Sequence, residues 1–143
     1  MYSRRDFLRG VPLAGLALLA GIRPASASRW VIHRRGPAAG PHPTPRPGIT
    51  AAKVLTREQL EDSPQLIPLF DSIREIPEIV DGIRCNCGCA DVEGFYSLLS
   101  CYEGDAMARA CPICQGQGRM AARLHKDGRT LDQIRAAIDA RYG

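Results

Sequence analysis

All six cysteines of this 143-residue chain fall in one window, Cys85 to Cys114. Whatever the chain folds into must bring six thiols close together in a stretch too short to form a core of its own. The first half of the window reads Cys85-Asn86-Cys87-Gly88-Cys89. Alternate residues of an extended segment point to the same side, and Gly88 lets the backbone curl around something bound. Cys-x-Cys neighbours are poor disulfide partners, because so short a loop strains the bond geometry. The second half is Cys111-Pro112-Ile113-Cys114. Proline favours the first helical position, which puts Cys111 at the cap and Cys114 one turn on, where the helix dipole favours a thiolate. Cys101 stands between the halves.

Three chemistries use such a pattern. Clustered thiolates select soft ions such as Cu(I), with Zn(II) also suited, and Cys85, Cys87, Cys89, Cys101, Cys111 and Cys114 are the candidate ligands. A Cys-x-x-Cys pair at a helix start can instead cycle between dithiol and disulfide, which makes Cys111 and Cys114 candidate catalytic residues of a thiol–disulfide oxidoreductase. Structural disulfides in a small exported domain are the third. Met107 and Met120 are possible thioether ligands, although core packing is the simpler role for a methionine. His125 suits a helix C-terminus better than the cluster. No hydrolase-type pairing, phosphate-cradling loop or carboxylate pair accompanies the thiols, so the reading is non-enzymatic unless the pair is redox-active.

Residues 1–27 carry an address. A charged head, an apolar run of about 13 residues from Gly10 to Ile22 and Ala25-Ser26-Ala27 make a cleavable signal peptide, too short to span a bilayer. Ser3-Arg4-Arg5-Asp6-Phe7-Leu8 resembles the twin-arginine signal, which directs already folded proteins out of the bacterial cytoplasm. The expectation is a mature protein beginning near Ser28, periplasmic or extracellular, able to load metal before export. Arg4, Arg5, Arg9 and Arg23 against Asp6 account for most of the net charge of +4, so the mature chain stands near neutrality. Its charges are interspersed, which excludes a nucleic-acid footprint as a leading idea. No later stretch is long and apolar enough for a membrane span.

Residues 28–63 read as a Pro-rich linker. The segment 36–48 holds Pro37, Pro41, Pro43, Pro45 and Pro47, a composition that favours extended, solvated backbone and a disordered tether. His33 and His42 lie in the linker and are expected to be solvated. Thr56 to Gln59 fits a capping box, so a short helix over 57–62 follows.

Residues 64–143 are expected to form a small all-α domain with a Cys-rich loop. Leu66, Leu69, Phe70, Ile73, Ile76, Val80 and Ile83 recur at helical spacing, and Pro68 and Pro77 must bend or restart that helix. Ser72 and Glu75 form a capping pattern that agrees with a break before Pro77. Phe95, Leu98 and Leu99 suit a helix over 94–101. Another runs from Pro112 to Lys126 with Ile113, Gln117, Met120, Ala121 and Leu124 on one face, and Asp127-Gly128 ends it. Thr130 to Gln133 is a further capping box, opening a last helix with Leu131, Ile134, Ile138 and Tyr142 on its face. Roughly 80 residues bury only a modest core and gain from a metal or disulfide staple.

The stretch from Glu75-Ile76-Pro77-Glu78 through Cys85-Asn86-Cys87-Gly88-Cys89, Leu98-Leu99-Ser100-Cys101 and Cys111-Pro112-Ile113-Cys114 to Arg141-Tyr142-Gly143 resembles the PCYCGC-motif (CYCXC) family of small exported bacterial proteins. Arg84 and Asn86 depart from the Pro and Tyr of the motif's name, and the cysteines are kept. Some members of that family carry selenocysteine in the cluster, so the resemblance implies soft-metal or redox chemistry. A weaker similarity, carried by Cys111-Pro112-Ile113-Cys114-Gln115 and Ala140-Arg141-Tyr142-Gly143, is to the thiol–disulfide domain of cytochrome c maturation factors. Cys85, Cys87 and Cys89 have no counterpart there. The leading expectation is an exported soft-metal-binding protein, Cu(I) favoured, serving metal handling, with a metal ion and a metal-handling or redox protein as partners.

Overall fold

Proline placement sets the helix boundaries. The computed structural model describes residues 40–143; the signal-peptide reading, His33 and the first part of the linker lie outside the described residues. Helix α1 spans Ile67–Glu75 with Pro68 in its first turn, and it stops at Ile76, whose backbone (φ −133°, ψ 45°) has left the helical region. The following Pro77 explains the stop, because a proline ring clashes with a helical residue before it. Pro77 then opens helix α2, Pro77–Asp81. Helix α3 is Pro112–Lys126 and helix α4 is Leu131–Tyr142, both as expected. The Thr130–Gln133 capping box closes reciprocally at the start of α4.

Three local expectations are changed. The Thr56 and Gln59 side chains do bond each other's backbone N–H, but the turn they cap is a short 3₁₀ element, Glu58–Leu60. The helix expected over 94–101 is a 3₁₀ turn, Leu98–Tyr102, capped by Ser97 and Ser100. Ser72 caps nothing; its hydroxyl donates to Leu69 O inside α1. With other 3₁₀ turns at Pro64–Leu66, Cys89–Asp91 and Met107–Arg109, the architecture is all-α, and no strand occurs among the described residues.

The core lies where α1, α3 and α4 meet the Leu98–Tyr102 turn. Phe70, Ile73, Val80, Ile83, Leu98, Leu99, Tyr102, Ile134 and Ile138 are fully buried there. Phe70 and Tyr102 pack edge to face at 5.0 Å, a favourable aromatic geometry. The buried face of α3 is Cys114, Gln117, Gly118 and Ala121, whereas Ile113 is exposed. Gln117 and Ala121 lie on the expected face, and Gly118 brings Tyr102 against it. A Cβ there would stand 2.0 Å from Tyr102 Oη, so only glycine lets that phenol lie against the helix and donate to Cys114 O at 2.8 Å.

The Pro-rich stretch differs most from expectation. From Gly40 on it lies against the helices instead of standing off as an open tether. Irregular backbone leaves its carbonyls unpaired, and the domain supplies donors. Arg135 donates to Pro43 O at 2.8 Å and Tyr96 to Thr44 O at 2.6 Å. Arg46 reaches the fully buried Asp81 through its backbone N–H at 2.8 Å and its guanidinium at 2.7 Å. Ser97 Oγ donates to the same carboxylate at 2.7 Å. Further along, Val54, Leu55 and Leu60 are buried in the common core, so that core begins before residue 64.

Candidate metal centre

The cysteine loop leaves α2 at Gly82 and is fixed at its start by Leu98 N, which donates to Ile83 O at 2.7 Å. It is a turn and not the extended run that the alternation suggested. The sulfurs converge because Gly88 takes φ +98°, a left-handed conformation open to glycine, and folds the chain back into the Cys89–Asp91 turn. The fourth sulfur comes from α3. Cys111 is the helix cap, with its Sγ accepting from Cys114 N at 3.5 Å, and Pro112 opens the first turn. That turn aims Cys114 at the loop.

The sulfurs of Cys85, Cys87, Cys89 and Cys114 all lie within 4.8 Å of one another. Cys85 stands 3.2 Å from Cys87 and 3.5 Å from Cys114; Cys87 stands 3.0 Å from Cys89 and 3.5 Å from Cys114. These separations exceed the disulfide bond of about 2.05 Å, and all six cysteines are free. They are shorter than the sulfur–sulfur edge of about 3.8 Å that follows from a tetrahedral site with metal–sulfur bonds of about 2.3 Å. Of the six cysteines singled out from sequence, the structure therefore brings four together. Cys101 is fully buried and stands outside the four. Cys111 stays at the helix cap. Met107 is exposed and Met120 is half-buried, while His125 is exposed in the last turn of α3 and is not part of the group.

Electrostatics allows these thiols little independent ionisation. Two thiolates 3.5 Å apart repel by roughly 5 kcal/mol even at an effective dielectric of about 20. Hydrogen bonds from Cys101 and Cys114 hold the Cys85 thiol far below its ordinary range, against the effect of burial. Burial and the Cys89 thiol push Cys87 up. The thiols of Cys101 and Cys85, with burial, push Cys114 up. Cys101 is drawn down by Cys114, but Cys85 and burial outweigh that and leave it raised. Cys85 is thus favoured as a thiolate beside protonated Cys87, Cys101 and Cys114, and a bound cation is what would allow several thiolates to coexist.

Side chains from distant segments hold the loop. His42 accepts from Arg84 N at 3.0 Å through Nδ1, and its Nε2 lies 2.9 Å from Asp139 Oδ2. Asp139 Oδ1 accepts from Asn86 Nδ2 at 3.3 Å. One carboxylate on α4 therefore braces both residues that flank Cys85. Gln117 Oε1 accepts from Asn86 N at 3.4 Å, while its buried Nε2 has no partner. His42, expected to be solvated, is a support of the site. Asn86, Gln117, Asp139 and Tyr102 had no sequence signal as site residues, because their roles depend on partners up to 97 positions away.

No family model, curated protein or solved structure matches this chain. The site's chemistry therefore rests on its own donors. Four sulfurs with no nitrogen or oxygen ligand in the group suit a soft, thiophilic ion and not a hard ion such as Ca²⁺ or Mg²⁺, which takes oxygen ligands. The residues present fit such an ion, and the cysteine cluster can hold it.

Proposed function

We propose that this is an exported metal-handling protein that binds a soft ion, Cu(I) in the first instance, through Cys85, Cys87, Cys89 and Cys114. The observation that carries the reading is the convergence of four free sulfurs on one point. Cu(I) is served by two or three thiolates, which leaves a neighbour protonated, as the thiol–thiol contacts of this group already favour. Zn(II) in a four-thiolate site is the competing occupant. The twin-arginine-like start and the likeness to the CYCXC family support export and soft-metal chemistry. Among the described residues no helix is long and apolar enough to cross a membrane.

The test is native mass spectrometry of protein purified without oxygen from the exported fraction, with thiols counted on the same sample. Bound copper with free thiols is the expected result. Three disulfides and no metal would sink the reading.

One observation favours a redox role: Cys111 is partly exposed at a helix cap and its sulfur accepts from Cys114 N. Cys114 is fully buried and its sulfur faces Cys85 and Cys87, which speaks for metal. A reduction potential for a Cys111–Cys114 disulfide within the range of thiol oxidoreductases would support the redox role.

A further inference from the structure

Gln117 is fully buried on α3, one turn beyond Cys114. Its orientation is fixed by Asn86 N, since only the amide oxygen can face an N–H donor. Nε2 is then left as a buried donor without an acceptor, and among the described side chains no other fully enclosed nitrogen or oxygen is in that position. Such a group forfeits its hydration with nothing in return. Asn86 sits between Cys85 and Cys87, so the unpaired N–H stands beside the loop that supplies three of the four sulfurs. A thiol is a weak acceptor, whereas a thiolate is charged and accepts strongly.

We propose that Gln117 is a positioning residue of the metal centre, its Nε2 donating to a thiolate of the Cys85–Cys87 segment when an ion is bound. This rests on the metal-binding reading above and adds what completes the site. Metal binding displaces the thiol protons to solvent, the sulfurs become acceptors, and the orphaned donor gains its partner. The hydrogen bond draws charge from sulfur, eases the burial of several thiolates and holds the loop against α3. Partners of this kind change metal affinity by about 10–100-fold when removed.

The experiment uses the full reduced chain, with Co(II) as an optical probe and Cu(I) competed against a chromophoric chelator. Wild type, Gln117→Leu and Gln117→Glu are compared. The expected result is a sulfur-to-Co(II) charge-transfer band in wild type. Both variants bind about 10–100-fold more weakly, with the band at longer wavelength, because a sulfur relieved of its hydrogen bond gives up electrons more readily. The metal-free Leu variant sheds the unpaired donor but also removes the acceptor of the partly exposed Asn86 N, so it melts close to wild type. Should the Leu variant fail to fold, the Glu variant, which keeps an acceptor for Asn86 N, decides by the same band. A folded variant with the wild-type band and affinity within twofold of wild type overturns the role of Gln117 and leaves the metal site standing. Absence of the band and of Cu(I) binding in wild type itself overturns both.

Discussion

The Asp139 carboxylate on α4 and the His42 imidazole from the Pro-rich arm meet at 2.9 Å across 97 positions of sequence. This pair closes the cysteine loop from outside, because His42 also holds Arg84 N and Asp139 also holds Asn86. Replacing His42 or Asp139 by alanine is expected to weaken metal binding about 10-fold while leaving the helices in place. Chelator competition with circular dichroism on the same samples checks both halves. Alkylation of Cys87, the partly exposed thiol of the group, should also become faster.

Cysteine-to-serine scanning should divide the six thiols unequally. Changing Cys85, Cys87, Cys89 or Cys114 is expected to reduce affinity by more than about 100-fold, and changing Cys111 by no more than a few-fold. Cys87 and Cys114 are raised above the ordinary thiol range, so in the metal-free protein they carry protons at neutral pH. An ion must displace those protons, and affinity therefore rises with pH, by up to about tenfold per pH unit for each proton released. Chelator competition between pH 6 and 8 measures the slope; a flat profile would count against thiolate ligation.

Asp81 should control acid stability. Burial alone would raise its carboxyl, but the Arg46 guanidinium and backbone N–H and the Ser97 hydroxyl outweigh that and hold it below the usual carboxylate range. A carboxyl with a depressed folded-state pKa contributes its full stability above the unfolded value of about 3.9. That contribution is lost as pH falls through the folded-state value. Resistance to urea should therefore fall below about pH 4 in wild type. In Asp81→Ala this acid-dependent loss should be smaller. That variant strands the buried Ser97 hydroxyl, while the stranded Arg46 side chain is already 38% exposed to water, so the expected loss at neutral pH is about 1–3 kcal/mol, the cost of hydrogen bonds left unmade.

Gly118→Ala tests the seat of Tyr102. Alanine favours a helix by about 1 kcal/mol over glycine, yet here its Cβ would meet Tyr102 Oη at 2.0 Å and Ile73 Cδ1 at 3.1 Å. Overpacking of about 1–3 kcal/mol should prevail. The expected outcome is a lower melting temperature and, through the displaced bond to Cys114 O, weaker metal binding.

Helix identity was legible wherever the signals are local. Pro77, Pro112 and the Thr130–Gln133 box act on neighbours within one turn, and α2, α3 and α4 begin where those residues place them. The face of α3 is legible at Gln117 and Ala121, which are buried, and at Met120 and Leu124, which pack against the core. Ile113 has the right spacing but is exposed, and Gly118, which admits Tyr102, carries no side chain to announce its place on that face. The Pro-rich arm was read from composition as open chain, which does not reveal that Arg135 and Tyr96 would find its carbonyls.

The sequence by itself determined an all-α chain with a concentrated set of soft ligands, since capping, proline geometry and thiol chemistry belong to residues and their near neighbours. Only the tertiary structure decided that four of the six sulfurs form the group, that Cys101 borders it and that His42, Asp139 and Gln117 support it. Convergence of side chains far apart in sequence depends on which faces are buried together, and burial is a property of the whole core.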